Sequence, residues 1–401
     1  MSDAAGPAVL DRAAVDATLR RLGLCGFAAM LSMRFCDALL PALAAEFHVT
    51  SGVASRTIAG FALAYGLLQL FYGPLGDRYG KLRVIALASL GCCAANLAAA
   101  CAPGLDALVA ARVAGGATAA GVIPLTMAWV GDHVPYAERQ GRLAQLLGAT
   151  VSGMVAGQWL GGVAAGTVGW RAGFGALSLL FLAAALMLWP RAAAAVHEAP
   201  AGSGLARLGR VLGTGWARVI LALVALEGAF VFGAVSFVPH QLHLRHGLSM
   251  PNAGAVLALF GVGGLLYSRC ARRLLARVGE AGLARIGALG LAAGFGLMAW
   301  LPAWSVALAA CLLAGFGYYA LHNTLQTQAT QMAPVARGSA VALFACALFF
   351  GQSGGVAVSA WAVDRGLAPA VFAAAALALG ALGLVAGLLL GRRGRTAEAS
   401  P

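Results

Sequence analysis

The 401 residues are 61% hydrophobic and only 10% charged, with a mean hydropathy of +0.85. Soluble domains carry about 25% charged residues, so this chain cannot cover itself in a water-compatible shell and lipid is its natural solvent. A net charge of +13 would suit a nucleic-acid partner, but the arginines sit in short clusters between apolar stretches, which excludes that class. The 55 glycines suit closely packed membrane helices. The eight cysteines (Cys25, Cys36, Cys92, Cys93, Cys101, Cys270, Cys311, Cys346) lie in or beside apolar segments without C-x-x-C or metal-like spacing. They read as small apolar filler.

A helix needs about 20 apolar residues to cross a bilayer. In chain order, such runs fall at 21–45, 53–75, 84–102, 105–130, 142–166 and 171–190, then at 218–240, 250–268, 282–301, 303–331, 338–361 and 368–391. The first run follows Arg20 and Arg21, and Ala42 to Ala45 looks faintly like a signal-peptide cleavage site. It also carries Arg34 and Asp37, which a signal segment avoids, so it reads as an uncleaved first helix. Residues 191–217, rich in Ala, Gly and Arg, read as a flexible cytoplasmic tether between residues 1–190 and 218–401.

Of the 27 lysines and arginines, four (Arg56, Arg171, Arg245, Arg365) fall in one set of loops and two (Arg34, Arg112) inside spans, and all the others flank the opposite side. The positive-inside rule then puts both termini in the cytoplasm. The halves also echo each other. Leu40-Pro41 near the end of span 1 matches Val238-Pro239 near the end of span 7, a shift of 198 residues. Pro135-x-x-Glu138-Arg139-x-Gly141 after span 4 matches Pro334-x-x-Arg337-Gly338 after span 10, a shift of 199. Two nearly equal shifts predict two parallel six-helix repeats.

The string Gly73-Pro74-Leu75-Gly76-Asp77-Arg78-Tyr79-Gly80-Lys81-Leu82-Arg83 joins spans 2 and 3 and must turn tightly, hence its glycines. A solvated turn is the bland reading. The string is similar to the G-x-L-x-D-R-x-G-R/K signature of the major facilitator superfamily. That resemblance implies that Gly73 admits a helix of the other half, and that Asp77 and Arg78, with Gly80 and Lys81, form an inter-half charge latch favouring the outward-facing state. A carboxylate suits a helix N-terminus. Span 4 carries Arg112, four residues before Gly116. An arginine at that depth costs about 2.5–3.5 kcal/mol unless paired or hydrated. It resembles the family's R-x-x-x-G element, linked there to proton coupling; snorkelling to the interface is the alternative. In span 5, Gly153, Gly157, Gln158, Gly161 and Gly162, followed by Trp170-Arg171, resemble the antiporter signature G-x-x-x-G-P-x-x-G-G, with Gln158 where that signature has proline. General helix packing explains such a stripe equally well.

Other polar residues inside spans are few. Arg34 and Asp37, three apart, share a helix face and are expected to pair, at a depth matching Arg112 to about one turn. Glu227 lies near the middle of span 7. A carboxylate taken out of water holds its proton more tightly, and a neighbouring arginine reverses that, which is what a proton carrier needs. A static buried ion pair is the competing reading. Tyr65 and Gln69 in span 2, His322, Asn323 and Gln326 in span 10, and Gln352 and Ser353 in span 11 are candidates for a substrate surface. His322 reads equally as an ordinary hydrogen-bonded histidine. Phe35, Phe230, Phe232 and Trp129 could line an aromatic cavity or simply pack.

The expectation is an all-α membrane protein: twelve helices in two pseudo-symmetric six-helix bundles, both termini cytoplasmic. The resemblance implies a secondary transporter working by alternating access. It implies proton-coupled efflux of small amphipathic or cationic molecules, as in the drug:proton antiporter branch. The alternative is a symporter or facilitator importing a sugar, organic acid or amino acid, since one fold serves many cargoes. A membrane-embedded enzyme or receptor is the remote alternative. No phosphate-binding loop appears, so no nucleotide or other cofactor is expected, and the proton gradient is the energy source. Lipid, a small-molecule substrate and protons are the expected partners of a monomer in the bacterial inner membrane.

Overall fold

The computed structural model describes residues 12–193, 204–333 and 337–398, and among these every regular element is helical. The first helix, α1 (Arg12–Phe35), passes through a 3-10 turn at Cys36–Ala38 into α2 (Leu40–Glu46), bent from it by 60°. Pro41 supplies the reason. It has no N–H for the carbonyl four residues back, and its ring crowds that carbonyl, so the helix must break there. The same device recurs after the tether, where α11 (Gly215–Val235) yields at Ser236 and Phe237 to α12 (Val238–His246), with Pro239 in its first turn. The repeated Leu-Pro and Val-Pro pairs therefore mark a repeated helix interruption, bent by 60° in the first half and within one span, Gly215–His246, in the second. The second repeated string is half accessible: Pro135 caps α8, and Pro334 lies outside the described residues.

Between these bends run α3 (Ser51–Ala54), α4 (Arg56–Tyr79), α5 (Lys81–Ala100), α6 (Leu105–Ala119), α7 (Val122–His133), α8 (Tyr136–Gly166) and α9 (Trp170–Ala193). α6 and α7 form one broken span: Pro124 interrupts the ladder, and the Tyr72 hydroxyl lies 3.0 and 3.1 Å from the Ala117 and Thr118 carbonyls. Residues 204–213 of the expected tether form a helix, α10 (Gly204–Gly213), whose Val211 is wholly buried. Residues 194–203 lie outside the described residues.

The two spans expected at 250–268 and 282–301 are joined by continuous helix in α13 (Met250–Trp300), broken by non-helical backbone at Gly279. A straight helix would set Gly263 and Gly294 about 46 Å apart. Both instead press on one short stretch of α14 (Val306–Gln331): Gly263 against Leu312 and Phe316, Gly294 against Ala310 and Ala314. The chain therefore doubles back at Gly279, where φ is +66°. α15 (Arg337–Val363) and α16 (Ala368–Glu398) complete the fold. Among the described residues ten helices are long and apolar enough to cross a bilayer, or eleven with α1 and α2 as one bent span.

One apolar core is drawn entirely from residues 19–188 and another entirely from 211–390. A third joins Leu39, Leu43 and Ile58 to Phe237, Val356 and Ala360, and so lies between the halves. Around it, loops converge on what we term the distal end, where Arg171 bonds Glu46 and the Ala102 carbonyl. The proximal end carries residue 12, with Arg12–Glu138 at 2.6 Å, Arg142–Asp16 at 2.7 Å and Lys81–Asp132 at 2.6 Å. Those pairs stay within the first half. At that end Gly73, Gly141 and Gly148 have no neighbour within 4 Å of where a Cβ would stand. The halves thus share an apolar seal toward the distal end.

Helices inside each half meet through glycine. Gly153, Gly157 and Gly161 of α8 receive the backbone of Phe27, Leu31 and Phe35 of α1, one turn apart each time. In the second half Gly351 and Gly355 of α15 receive Ala225 and Ala229 of α11. Gly351→Ala should cost about 1–3 kcal/mol, because its methyl has only backbone to meet. Gly354→Ala, on the same helix with open space around it, should be neutral or stabilising. Thermal unfolding of the two variants in detergent checks this.

Candidate functional site

α1 ends at Phe35, so the carbonyls of its last four residues lose their helical donors. Two of the four are met from α6. Arg112 Nη1 donates to the Ser32 carbonyl at 3.0 Å and Nη2 to the Met33 carbonyl at 3.4 Å, while Nε reaches the Thr57 carbonyl of α4 at 3.4 Å. The guanidinium lies 4.2 Å from the centre of the Phe61 ring. Arg112 therefore binds three helices together and does not snorkel; it is 2% exposed. Beside it the Ser32 hydroxyl lies 3.2 Å from Asn96 Oδ1. Asn96 escaped the sequence reading, although it is the lone amide in a span of small apolar residues.

The same bend fixes the acid. Asp37 sits in the 3-10 turn, fully buried, and Arg34 faces it with Nη1 3.7 Å from Oδ2, as their spacing predicted. Neither Asp37 oxygen, nor Nε or Nη1 of Arg34, has a hydrogen-bond partner. The Arg34 guanidinium instead lies over the ring of Phe232, on α11 of the other half, 4.1 Å from its centre. This charge pair thus stands at the junction of the halves.

Glu227 on α11 is fully buried, and its partner is not an arginine. His322 of α14 meets it, Nδ1 to Oε2, at 2.9 Å, and Oε1 has no partner. The His322 ring is stacked on Tyr318 at 5.0 Å and tilted against Phe344 at 5.4 Å. Tyr318 in turn meets Phe232 at 5.4 Å. An unbroken set of contacts therefore runs from Asp37 through Arg34, Phe232, Tyr318 and His322 to Glu227. Tyr318 and Phe344 were not singled out by sequence; an aromatic four residues before a histidine in one span was the available signal.

The other candidates scatter. Tyr65 is buried between Phe61 and Phe349, with the Phe349 ring at 4.6 Å. Gln69, Gln352 and Gln158 each hold a buried carbonyl oxygen without a partner. Asn323 neighbours Tyr267 of α13 and is half-buried, and Gln326 is exposed, so neither joins His322 at Glu227. Among the aromatics, Phe35 packs against Phe174 and Trp129 stacks on His133. Gly162 receives Met250 and Gly254 receives Gln158, so α8 touches α13 of the other half as well as α1. The expected turn is helical as far as Tyr79: in the last turn of α4 Asp77 pairs with Lys81 of its own half at 3.4 Å and Arg78 lies 5.2 Å over Tyr79, and Gly80 alone, at φ +88°, separates α4 from α5.

A family model, Major Facilitator Superfamily, matches residues 22–355. The chain belongs to that superfamily. It is 29% identical over 326 residues to a chloramphenicol resistance protein of Streptomyces lividans, covering 80% of this chain and 83% of the relative. It is 24% identical over 329 residues to the MFS-type transporter YceJ of Bacillus subtilis (strain 168), covering 80% and 83%. The crystal structure of a point mutant of the nucleoside transporter NupG superposes with a TM-score of 0.76 at 14% identity, over 93% of this chain and 99% of that one. The chain is therefore an all-helical, multi-pass membrane protein of a transporter family. Replacing Arg112 with Met should cost about 1–3 kcal/mol, since the end carbonyls of α1 are then buried without a donor. Arg112→Lys should recover only part of that, because an ammonium cannot span three carbonyls on two neighbouring helices. Thermal unfolding in detergent reads both.

Proposed function

We propose that the protein is a proton-coupled secondary transporter exporting small amphipathic or cationic molecules by alternating access. The observation that carries this is the Arg34–Asp37 pair: two opposite charges, buried together, short of hydrogen bonds, and set against the other half of the molecule. A static structural ion pair gains its stability from complete hydrogen bonding. This pair lacks it and touches a surface that moves when the halves rock, so conformation can decide whether Asp37 keeps its arginine.

Asp37, Arg34, Arg112 and Glu227 form the proton-coupling set, with Glu227 held by His322. Residues 1–190 and 218–401 are the two moving halves, joined by 191–217. Counting α1 with α2 as one span and α13 as two gives twelve, and the arginine asymmetry puts the proximal end in the cytoplasm of a bacterial inner membrane. The conformation is then inward-facing, and the Asp77–Arg78 loop, with Gly73, Gly80 and Lys81, is a latch that engages in the opposite state. Gln69, His322 and Gln352 are the polar groups offered to cargo, while Tyr65, Asn323 and Gln326 stand apart from them, and the α8 glycines are the antiporter-like frame. Export draws support from the chloramphenicol resistance relative. Import as a symporter or facilitator draws support from the nucleoside transporter, whose likeness is one of fold.

The purified protein in liposomes, with an imposed pH gradient and an internal pH dye, tests this. Proton movement is expected on adding a member of a panel that includes chloramphenicol and lipophilic amines. Asp37→Asn and Glu227→Gln should each reduce it at least about tenfold, the size of effect proton-transfer groups carry. If both variants retain full proton movement, the carrier assignment is wrong. A cysteine introduced within 191–217 should label only from the cytoplasmic side, which checks the orientation.

A further inference from the structure

The distal seal has a polar component that none of the sequence patterns contains. α15 ends at Val363, and the next residue, Asp364, reaches across to the other half. Its Oδ2 accepts from the Thr50 hydroxyl at 2.6 Å and its Oδ1 from the Gly52 backbone N–H at 2.9 Å. Thr50 is held in place for this, because its oxygen also accepts from the Val53 N–H at 3.2 Å. Gly52 is shaped for it too: any Cβ there would occupy the space of the Asp364 carboxylate. One residue along, Ser51 Oγ lies 2.9 Å from His240 Nδ1, a second bond between the halves. Beneath both bonds lies the mixed apolar cluster, with Val356, Ala360 and Val363 of α15 against Leu39, Leu43 and Ala54.

The two Asp364 bonds join segments more than 300 residues apart and exist only while the halves meet distally. Two charge-assisted hydrogen bonds to one carboxylate discriminate strongly by geometry, because both are lost when the donors move away together. We infer that Asp364 is a state-setting residue of the transport cycle: its carboxylate, clasping Thr50 and Gly52, holds the distal end shut and biases the resting protein toward the conformation seen here. It acts as the counterweight to the proximal Asp77 loop. Each half of the cycle then has a carboxylate latch, and each latch is broken when the other closes. The inference rests on the alternating-access reading above and needs neither a cargo nor proton coupling.

The test is a distance measured across the distal end. Spin labels at Val168→Cys and Leu367→Cys, both solvent-facing positions on opposite halves, are placed in the full chain with its native cysteines replaced. Pulsed electron paramagnetic resonance then reports the distally closed and distally open populations. Asp364→Ala should raise the open-to-closed ratio by about fivefold to tenfold, the range of a modest conformational coupling. Thr50→Val removes one of the two bonds without removing the charge and should raise it by a smaller factor. Asp364→Glu should restore part of the closed population. Wild type with two populations that neither Asp364→Ala nor Thr50→Val alters would overturn the assignment and leave alternating access standing. A single unchanging distance in wild type and every variant would overturn both.

Discussion

Lipid cannot donate a hydrogen bond, so a helix that stops inside a membrane must find donors for its terminal carbonyls within the protein. α1 stops there because Pro41 makes it stop, and the rest of the central structure follows from that single break. Arg112 answers the carbonyls of Ser32 and Met33, so an arginine is drawn from α6 into the middle of the first half. Its hydrogen bonds go mainly to backbone and none to Asp37, whose ion-pair partner is Arg34, at 3.7 Å. A fully satisfied Asp37 would be an inert structural group. Because the bend places Arg34 toward Phe232, the remaining ion pair is instead divided between its own acid and the ring of the opposite half.

Much of this was legible in the sequence, and the reasons differ by residue. Pro41 and Pro239 act through their own covalent geometry, so the two helix interruptions are legible without knowing any contact. Arg34 and Asp37 are three apart on one helix, so their pairing is local. Glu227 and His322 are 95 residues apart, and hydropathy gives the depth of each but not its direction around the helix. Their bond was therefore out of reach even though both residues had been singled out. The two spans of α13 were legible, but the helical stretch between them was not: Arg269 to Arg277 end the apolar run, yet arginine, leucine and alanine are good helix formers, so the helix continues to the turn at Gly279. In α10 the signal was present, with Leu205, Leu208, Val211 and Leu212 spaced for one helical face, and composition alone hid it.

The two ends of the molecule are built on different terms. The proximal ion pairs tie α1 to α8 and α5 to α7, all within the first half, and so do not depend on the second. The distal contacts cross between halves and sit on an apolar cluster that both halves share. Burying that shared surface contributes in proportion to area, at about 25 cal/mol per Å². The hydrogen bonds of Asp364 and His240 add direction: apolar surface tolerates sliding, and a carboxylate gripping a backbone N–H does not.

α8 makes the same point about glycine and polarity. Gly153, Gly157 and Gly161 each seat a backbone segment of α1, so packing against α1 is sufficient to require them. The position where the antiporter pattern has proline is different. α8 runs unbroken from Tyr136 to Gly166, because Gln158 keeps its N–H and brings no ring. Gly157 meets Leu31 and Gly161 meets Phe35, which sets Gln158 at the depth of Ser32, about half a turn before Arg34, and its side-chain oxygen is buried there without a partner. Where the related pattern bends a helix, this chain instead places an unmet acceptor at the level of Ser32, whose carbonyl Arg112 meets, on the helix that touches both α1 and α13. The residue that departs from the pattern thus contributes polarity to the centre of the molecule, while the glycines that keep to it contribute fit.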